Sequence, residues 1–377
     1  MSADTSDFLD KIKQIRNIIG DDFVSYMIMS FTFVIIILVI VYVIYLNNLD
    51  NSECNFMNGL YPSVDGNIKS INTSDPDCSG NLYDYYIKTA YNACSGGSYK
   101  NDFVDVCNLK AVIKQGVRCL DFEIYSINNN PVVSTSTINN VYVKETFNSV
   151  NFSDVMSTIQ SYAFANGTSP NPNDPIIIHL RFMSNNQAMY TNLATIFQNY
   201  DSLMLGANFS YENNGQNLGA LPLTSFMGKI ILIVDKSNNS FLENTALLEY
   251  INLTSNSVFM RAYTYNNVKN NPDINELTSF NTTGMTIVLP DGGINPANPS
   301  GVLSRAAGCQ MVAMRYQYVD NFLEENAIFF DEASYAFALK PENLRYINVT
   351  VPDATPQNQA YSYGTRNSST DYYNFNY

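Results

Sequence analysis

Tryptophan is absent from this chain, histidine occurs once, and basic residues are scarce: 20 Lys and Arg stand against 34 Asp and Glu in 377 residues. Each shortage excludes something. A single His179 leaves little for a histidine-based metal centre, and the six cysteines do not fall at zinc-ligand spacing. A formal net charge of −14 argues against nucleic acid as a partner and against docking on anionic lipid. No period of 20–50 residues repeats, which excludes a solenoid or propeller. Charge is also missing locally: none occurs between Asp22 and Asp50.

That uncharged run is the strongest positive signal. Residues 23–46, with YMIMSFTFVIIILVIVYVIYL as their core, are apolar all round. Roughly 20 helical residues cross a hydrocarbon layer of ~30 Å. In lipid the backbone must satisfy itself, so a transmembrane helix follows despite the β-branched content. The preceding segment is too long and acidic, and the run too long, for a cleaved signal peptide, and no A-x-A site follows. Lys11, Lys13 and Arg16 precede the helix, while LNNLDNSECNF after it carries no basic residue. The positive-inside rule then leaves the N-terminus in the cytosol, giving a type II signal anchor with an extracytoplasmic ectodomain.

Five segments are expected: a short cytosolic, amphipathic start (1–22), the transmembrane helix (23–46), a polar juxtamembrane linker or ordered loop (47–80), a domain (81–347), and an Asn/Tyr-rich arm, extended or disordered (348–377). All six cysteines follow the membrane helix, where disulfides can form, and N-x-S/T sequons from Asn72 to Asn367 offer possible glycan sites. In 81–347, apolar strands at 117–125, 175–183, 229–235, 257–263, 285–290 and 309–317 alternate with helical stretches such as 151–164 and 186–200. The alternation predicts a parallel sheet covered on both sides, and at this length a (β/α) barrel.

Late in the chain stands AGCQMVAMRYQ followed by FALKPENLR; earlier come IKTAYNAC, GVRCLDFEIY and NPVVSTST. In turn these resemble GCQMVALNFQ with YVLKPxxLR, ISSSHNTY, GCRCVELDCW and PVVYHGHT, motifs of the catalytic X and Y halves of eukaryotic phosphoinositide-specific phospholipase C. The likeness is collinear from about residue 81 to 346, with an X-like half at about 81–236 and a Y-like half at about 240–347. It implies a distorted TIM (β/α)8 barrel. The linker between the halves and recognisable PH, EF-hand and C2 modules are missing.

The resemblance implies two-step acid–base cleavage of a phosphodiester, with two histidines and a calcium ion held by Asn and carboxylates. Position by position, the machinery is altered. Tyr91 stands at the first histidine, and Ser134 or Thr135 at the second. Asn92 matches the calcium-binding Asn, Asp121 and Glu123 invert the carboxylate pair, and Arg181 replaces the last carboxylate ligand. A guanidinium there repels a cation and can pair with Asp121. The phosphate-binding Arg and the ring-stacking Tyr align with Ile287 and Leu289, leaving Lys236 as the one basic position kept. His179 shares a strand face with Arg181 and reads as a satisfied core histidine, or as part of a rebuilt single-His site with Tyr91. Asp121 and Glu123 lie side by side on one strand, which does not suit a glycosidase pair. By the same resemblance Cys119 and Cys309 are expected free and buried. Cys94 and Cys107 lie in the loop after Asn92, where closing the short segment is sterically feasible, and Cys54 and Cys78 are then left for each other.

The expectation is a membrane-anchored, catalytically inactive phospholipase C-like barrel with no cofactor and its calcium site lost. Its role would be structural or interactive, on a cellular or viral membrane, with the bilayer and an unidentified protein as partners. The alternatives are a divergent calcium-independent phosphodiesterase acting on lipid headgroups, and a headgroup-binding module.

Overall fold

The computed structural model describes residues 10–15, 21–138, 142–347, 353–355, 361 and 363–377. Of the expected amphipathic start, residues 10–15 are described and helical, and 21–22 open the next helix; the rest of 1–20, and 348–352, 356–360 and 362 of the arm, lie outside the described residues. Two compact units are present, residues 1–345 and 346–377.

The first unit is built on eight parallel strands: β1 (Tyr85–Ala90), β2 (Cys119–Ile127), β3 (Ile176–Phe182), β4 (Ile230–Asp235), β5 (Leu253–Ser255), β6 (Met260–Thr264), β7 (Met285–Leu289) and β8 (Met311–Met314). Pairing runs in chain order from β1 to β5, and from β6 through β7 and β8 back to β1. This nearly closed ring is the expected distorted TIM barrel. Among the described residues no ladder joins β5 to β6. A four-residue turn takes the place of the usual crossover helix, with Ser257 N–H donating to Met260 O at 2.9 Å. Asn256 enters that turn at φ +58, which Asn tolerates better than most residues. The strand expected over 257–263 therefore starts at Met260, and the short β5 before it escaped the sequence reading.

Alternation along each strand separates two apolar layers. Leu120, Phe122, Ile124, Leu180 and Val234 face outward against helices such as Phe152–Thr158 and Gln187–Gln198. Cys119, Ile177, Ile231, Ile233, Ile287 and Met311 fill the interior below the mouth. Gly116, at φ +73 just before β2, turns the chain where a Cβ would meet Ile68 at 2.9 Å.

The most consequential departure lies at residues 47–60. One helix, α1 (Asp21–Leu60), runs through both the apolar span and the first part of the expected linker. From Phe23 to Tyr45 its large apolar side chains are all exposed, and it is long and apolar enough to cross a membrane. Beyond that it docks. Leu46, Leu49, Asp50, Glu53, Cys54, Met57 and Leu60 are its shielded positions, at helical spacing. Met57 is fully buried in the outer core, and Cys54 is disulfide-bonded to Cys107 in α2 (Val106–Lys114). Tyr61 O–H then donates to Tyr316 O at 2.7 Å, and Asp65 N–H to Lys114 O at 2.9 Å. Since α2 runs from the mouth loop after β1 down to β2, α1 descends the same wall and its apolar part projects past the mouth.

This overturns the expected disulfides. Cys54 pairs with Cys107, while Cys78 and Cys94 are free and buried. Continuing the helix carries Cys54 up to the start of α2, out of reach of Cys78. Cys119 and Cys309 are free and buried, as expected.

In the second unit, Asn367–Ser369 and Asn374–Asn376 form an antiparallel hairpin, with the Tyr373, Phe375 and Tyr377 rings in series.

Candidate functional site

The mouth of the barrel, at the C-terminal ends of the strands, is where TIM-barrel chemistry sits. Register alone brings the candidates together: Asp121 lies beside His179, and Glu123 beside Arg181, across the β2–β3 ladder. Strand parity turns all four inward, and all four are buried.

Arg181 is the hub. Its Nε donates to Asp121 Oδ1 at 3.0 Å and its Nη2 to Asp121 Oδ2 at 2.8 Å, a bidentate pair. Nη1 reaches Glu123 Oε1 at 3.1 Å, and Nη2 also reaches Asn92 Oδ1 at 2.9 Å. The Tyr91 ring lies over the guanidinium, 4.7 Å from Cζ to centroid. Asn92 sits at φ +44, a turn that lets its backbone N–H reach Asp121 Oδ2 (3.3 Å) while its Nδ2 donates to Glu123 Oε1 (3.1 Å). The remaining Glu123 oxygen accepts from Tyr125 O–H (2.7 Å), Ser136 N–H (2.9 Å) and Ser136 O–H (3.1 Å). His179 bridges Asp121 Oδ1 through Nδ1 (2.7 Å) and Ser255 Oγ through Nε2 (3.0 Å).

The electrostatics follow from this wiring. Burial pushes the Asp121 carboxyl up, but the Arg181 charge and the bonds from His179 and Arg181 outweigh it and hold the group at about 2. Burial disfavours the Arg181 charge, yet Asp121, Tyr91 and Glu123 keep it protonated well above the ordinary range. Burial pushes the Tyr91 phenol up.

Other positions stand apart. Ser134 Oγ bonds Thr146 Oγ1, and Thr135 O–H donates to Tyr99 O at 3.2 Å, so both tie mouth loops together. Ile287 is buried in the barrel interior, and Leu289 borders a cleft of about 150 Å³ shared with Arg181, Asp235, Ser237, Asn238 and Thr264. Lys236 is not part of this cluster. Its Nζ is 3.7 Å from Glu212 Oε1 and lies over Tyr211. Alternation explains the displacement: Ile231 and Ile233 point inward, so Asp235 reaches the cleft and the next residue turns away. Sequence reasoning missed Tyr125, Ser136 and Ser255. Only Tyr125, two residues beyond Glu123 on one strand, carried a parity signal.

In fold, the barrel is phospholipase C-like. Residues 78–236 match the family model described as phosphatidylinositol-specific phospholipase C, X domain. Among solved structures, L. pealei PLC21 is 18% identical, with a TM-score of 0.58 over 71% of this chain and 38% of its own. S. officinalis PLC21 is also 18% identical, with a TM-score of 0.57 over 73% of this chain and 39% of its own. The chain thus corresponds to about two fifths of those proteins' length, and at this identity the likeness is one of fold. No curated protein matches the chain in sequence.

Proposed function

We propose that this chain is a single-pass, type II membrane protein whose phospholipase C-like barrel has given up phosphodiester cleavage and serves a structural or interaction role on a cellular or viral membrane. The observation that carries the reading is the Arg181 hub. Calcium needs six to eight oxygen ligands at 2.3–2.6 Å. Here the Asp121, Glu123 and Asn92 oxygens are engaged by a guanidinium and its supporting donors. Acid–base chemistry fares no better. Both His179 nitrogens are engaged inside the barrel, and Tyr91, with its phenol pushed upward, is a poor proton carrier at neutral pH.

The test is an assay of the full chain in mixed micelles of detergent and phosphatidylinositol, with millimolar calcium or with chelator. Each lost acid–base group is worth roughly 10²–10⁴ in rate, so release of inositol phosphates should stay at background in both. Calcium-dependent turnover overturns the proposal, and calcium-independent turnover favours a divergent phosphodiesterase. Saturable binding of phosphatidylinositol without turnover identifies a headgroup-binding module.

A further inference from the structure

A second group of acidic side chains, outside the barrel, lies where α1 meets the loop between β1 and α2. Glu53 on α1 is only 8% exposed, and its Oε2 is buried without a hydrogen-bond partner. Facing it is Asp102, fixed in place because Oδ2 accepts from Ser98 N–H (2.8 Å) and Oδ1 from Phe103 N–H (3.1 Å). The two carboxylates converge over Gly96 and Gly97. A Cβ on Gly97 would overlap an Asp102 oxygen and stand 2.6 Å from Glu53 Oε1; one on Gly96 would stand 2.9 Å from Glu53 Oε2. Asp50 and Asp105 add charge nearby. Among the described residues, none of these four carboxylates forms an ion pair with Lys, Arg or His.

We propose that Glu53 and Asp102 hold a hard divalent cation of the calcium class, joining the membrane helix to the barrel. Two carboxylates converge here, and one of them is buried with an oxygen left unpartnered, so something positive is required between them, either a shared proton or a metal ion. A proton shared with Asp102 serves one Glu53 oxygen and leaves Oε2 buried without a partner, at a cost. A bidentate carboxylate uses both oxygens on one ion, and a divalent charge offsets two of the four carboxylates. All-oxygen donors favour calcium or magnesium over softer metals. The site is separate from the Arg181 cluster and shares no residue with it.

The test uses the full chain in detergent micelles at pH 7.5, titrated with calcium chloride and followed by calorimetry and thermal melting. One site is expected, with a Kd on the order of 10⁻⁴–10⁻³ M, and a Tm that climbs with the logarithm of free calcium. Glu53→Gln should weaken binding at least about tenfold and flatten the Tm response, since one ligand charge is lost. Asp102→Asn is the second variant and should do the same. A wild-type chain silent to calcium, with Glu53→Gln melting no lower, would assign a shared proton instead. Binding that survives Glu53→Gln and Asp102→Asn but vanishes in Asp121→Asn would put the ion at the barrel mouth, overturning this proposal.

Discussion

Arg181 gathers a buried cluster of carboxylate and amide oxygens around one side chain. Its planar fork spans Asp121 and reaches Glu123 and Asn92, which Lys could not do at one centre. Arg181→Glu leaves three buried carboxyl groups and no guanidinium. Melting in chelator should show a loss of about 3–5 kcal/mol, partly restored by millimolar calcium and by more than calcium gives the wild type. Acid should act on the same bond. The Asp121 pKa is about 2 in the fold and roughly 3.9 unfolded, so the unfolded chain binds more protons between those values. The contribution is complete above about pH 4 and is lost as pH falls through 2. Asp121→Asn should remove on the order of 2 kcal/mol of that acid-sensitive stability, read from denaturant midpoints at pH 5 and pH 2.5. This pairing was legible in the sequence through the resemblance, which aligns Asp121 and Arg181 with two ligands of one ion, while strand parity put 121 with 123 and 179 with 181 on one face each. Lys236 was misplaced although the same parity, applied to Ile231 and Ile233, turns it outward. Ser136 and Ser255 were beyond reach, because they arrive from loops and strands whose register no local pattern encodes.

Among the elements, α1 is the one whose extent was underestimated. Polar residues between 47 and 60 disguised a helix whose shielded face, Leu46, Leu49, Met57 and Leu60, keeps helical spacing. Reading that face would also have corrected the cysteines, since it places Cys54 on the docking side. The Cys54–Cys107 bond spans 53 residues of sequence and joins α1 to α2. Closing a loop of that length is worth about 4 kcal/mol through the unfolded chain. Cys54→Ser with Cys107→Ser should therefore lower unfolding stability by about that amount. Peptide mapping without reductant should find Cys54 joined to Cys107, with Cys78 and Cys94 as free thiols. The barrel strands were legible because they are continuous apolar runs. The short β5 and the helix-free turn to β6 were not, since a three-residue strand carries no periodicity.

At the scale of the whole molecule, the proposed type II orientation predicts that protease added to the cytosolic side of sealed membranes removes only the N-terminal segment and leaves the barrel intact. Digestion of the barrel would reverse the assignment. The continuity of α1 reaches further than sidedness. A barrel on a slack tether could tumble and present any face to its surroundings. This one is clamped to a stiff post by a helical seam and a covalent bond. With residues 23–46 in lipid, seven residues separate Leu46 from Glu53, about 10 Å of helix. On the proposed topology, with the helix upright, the rim of the barrel would hang just over the headgroups, in a gap too shallow for another folded domain. On that topology, whatever reaches the opening would arrive sideways along the bilayer or rise out of it.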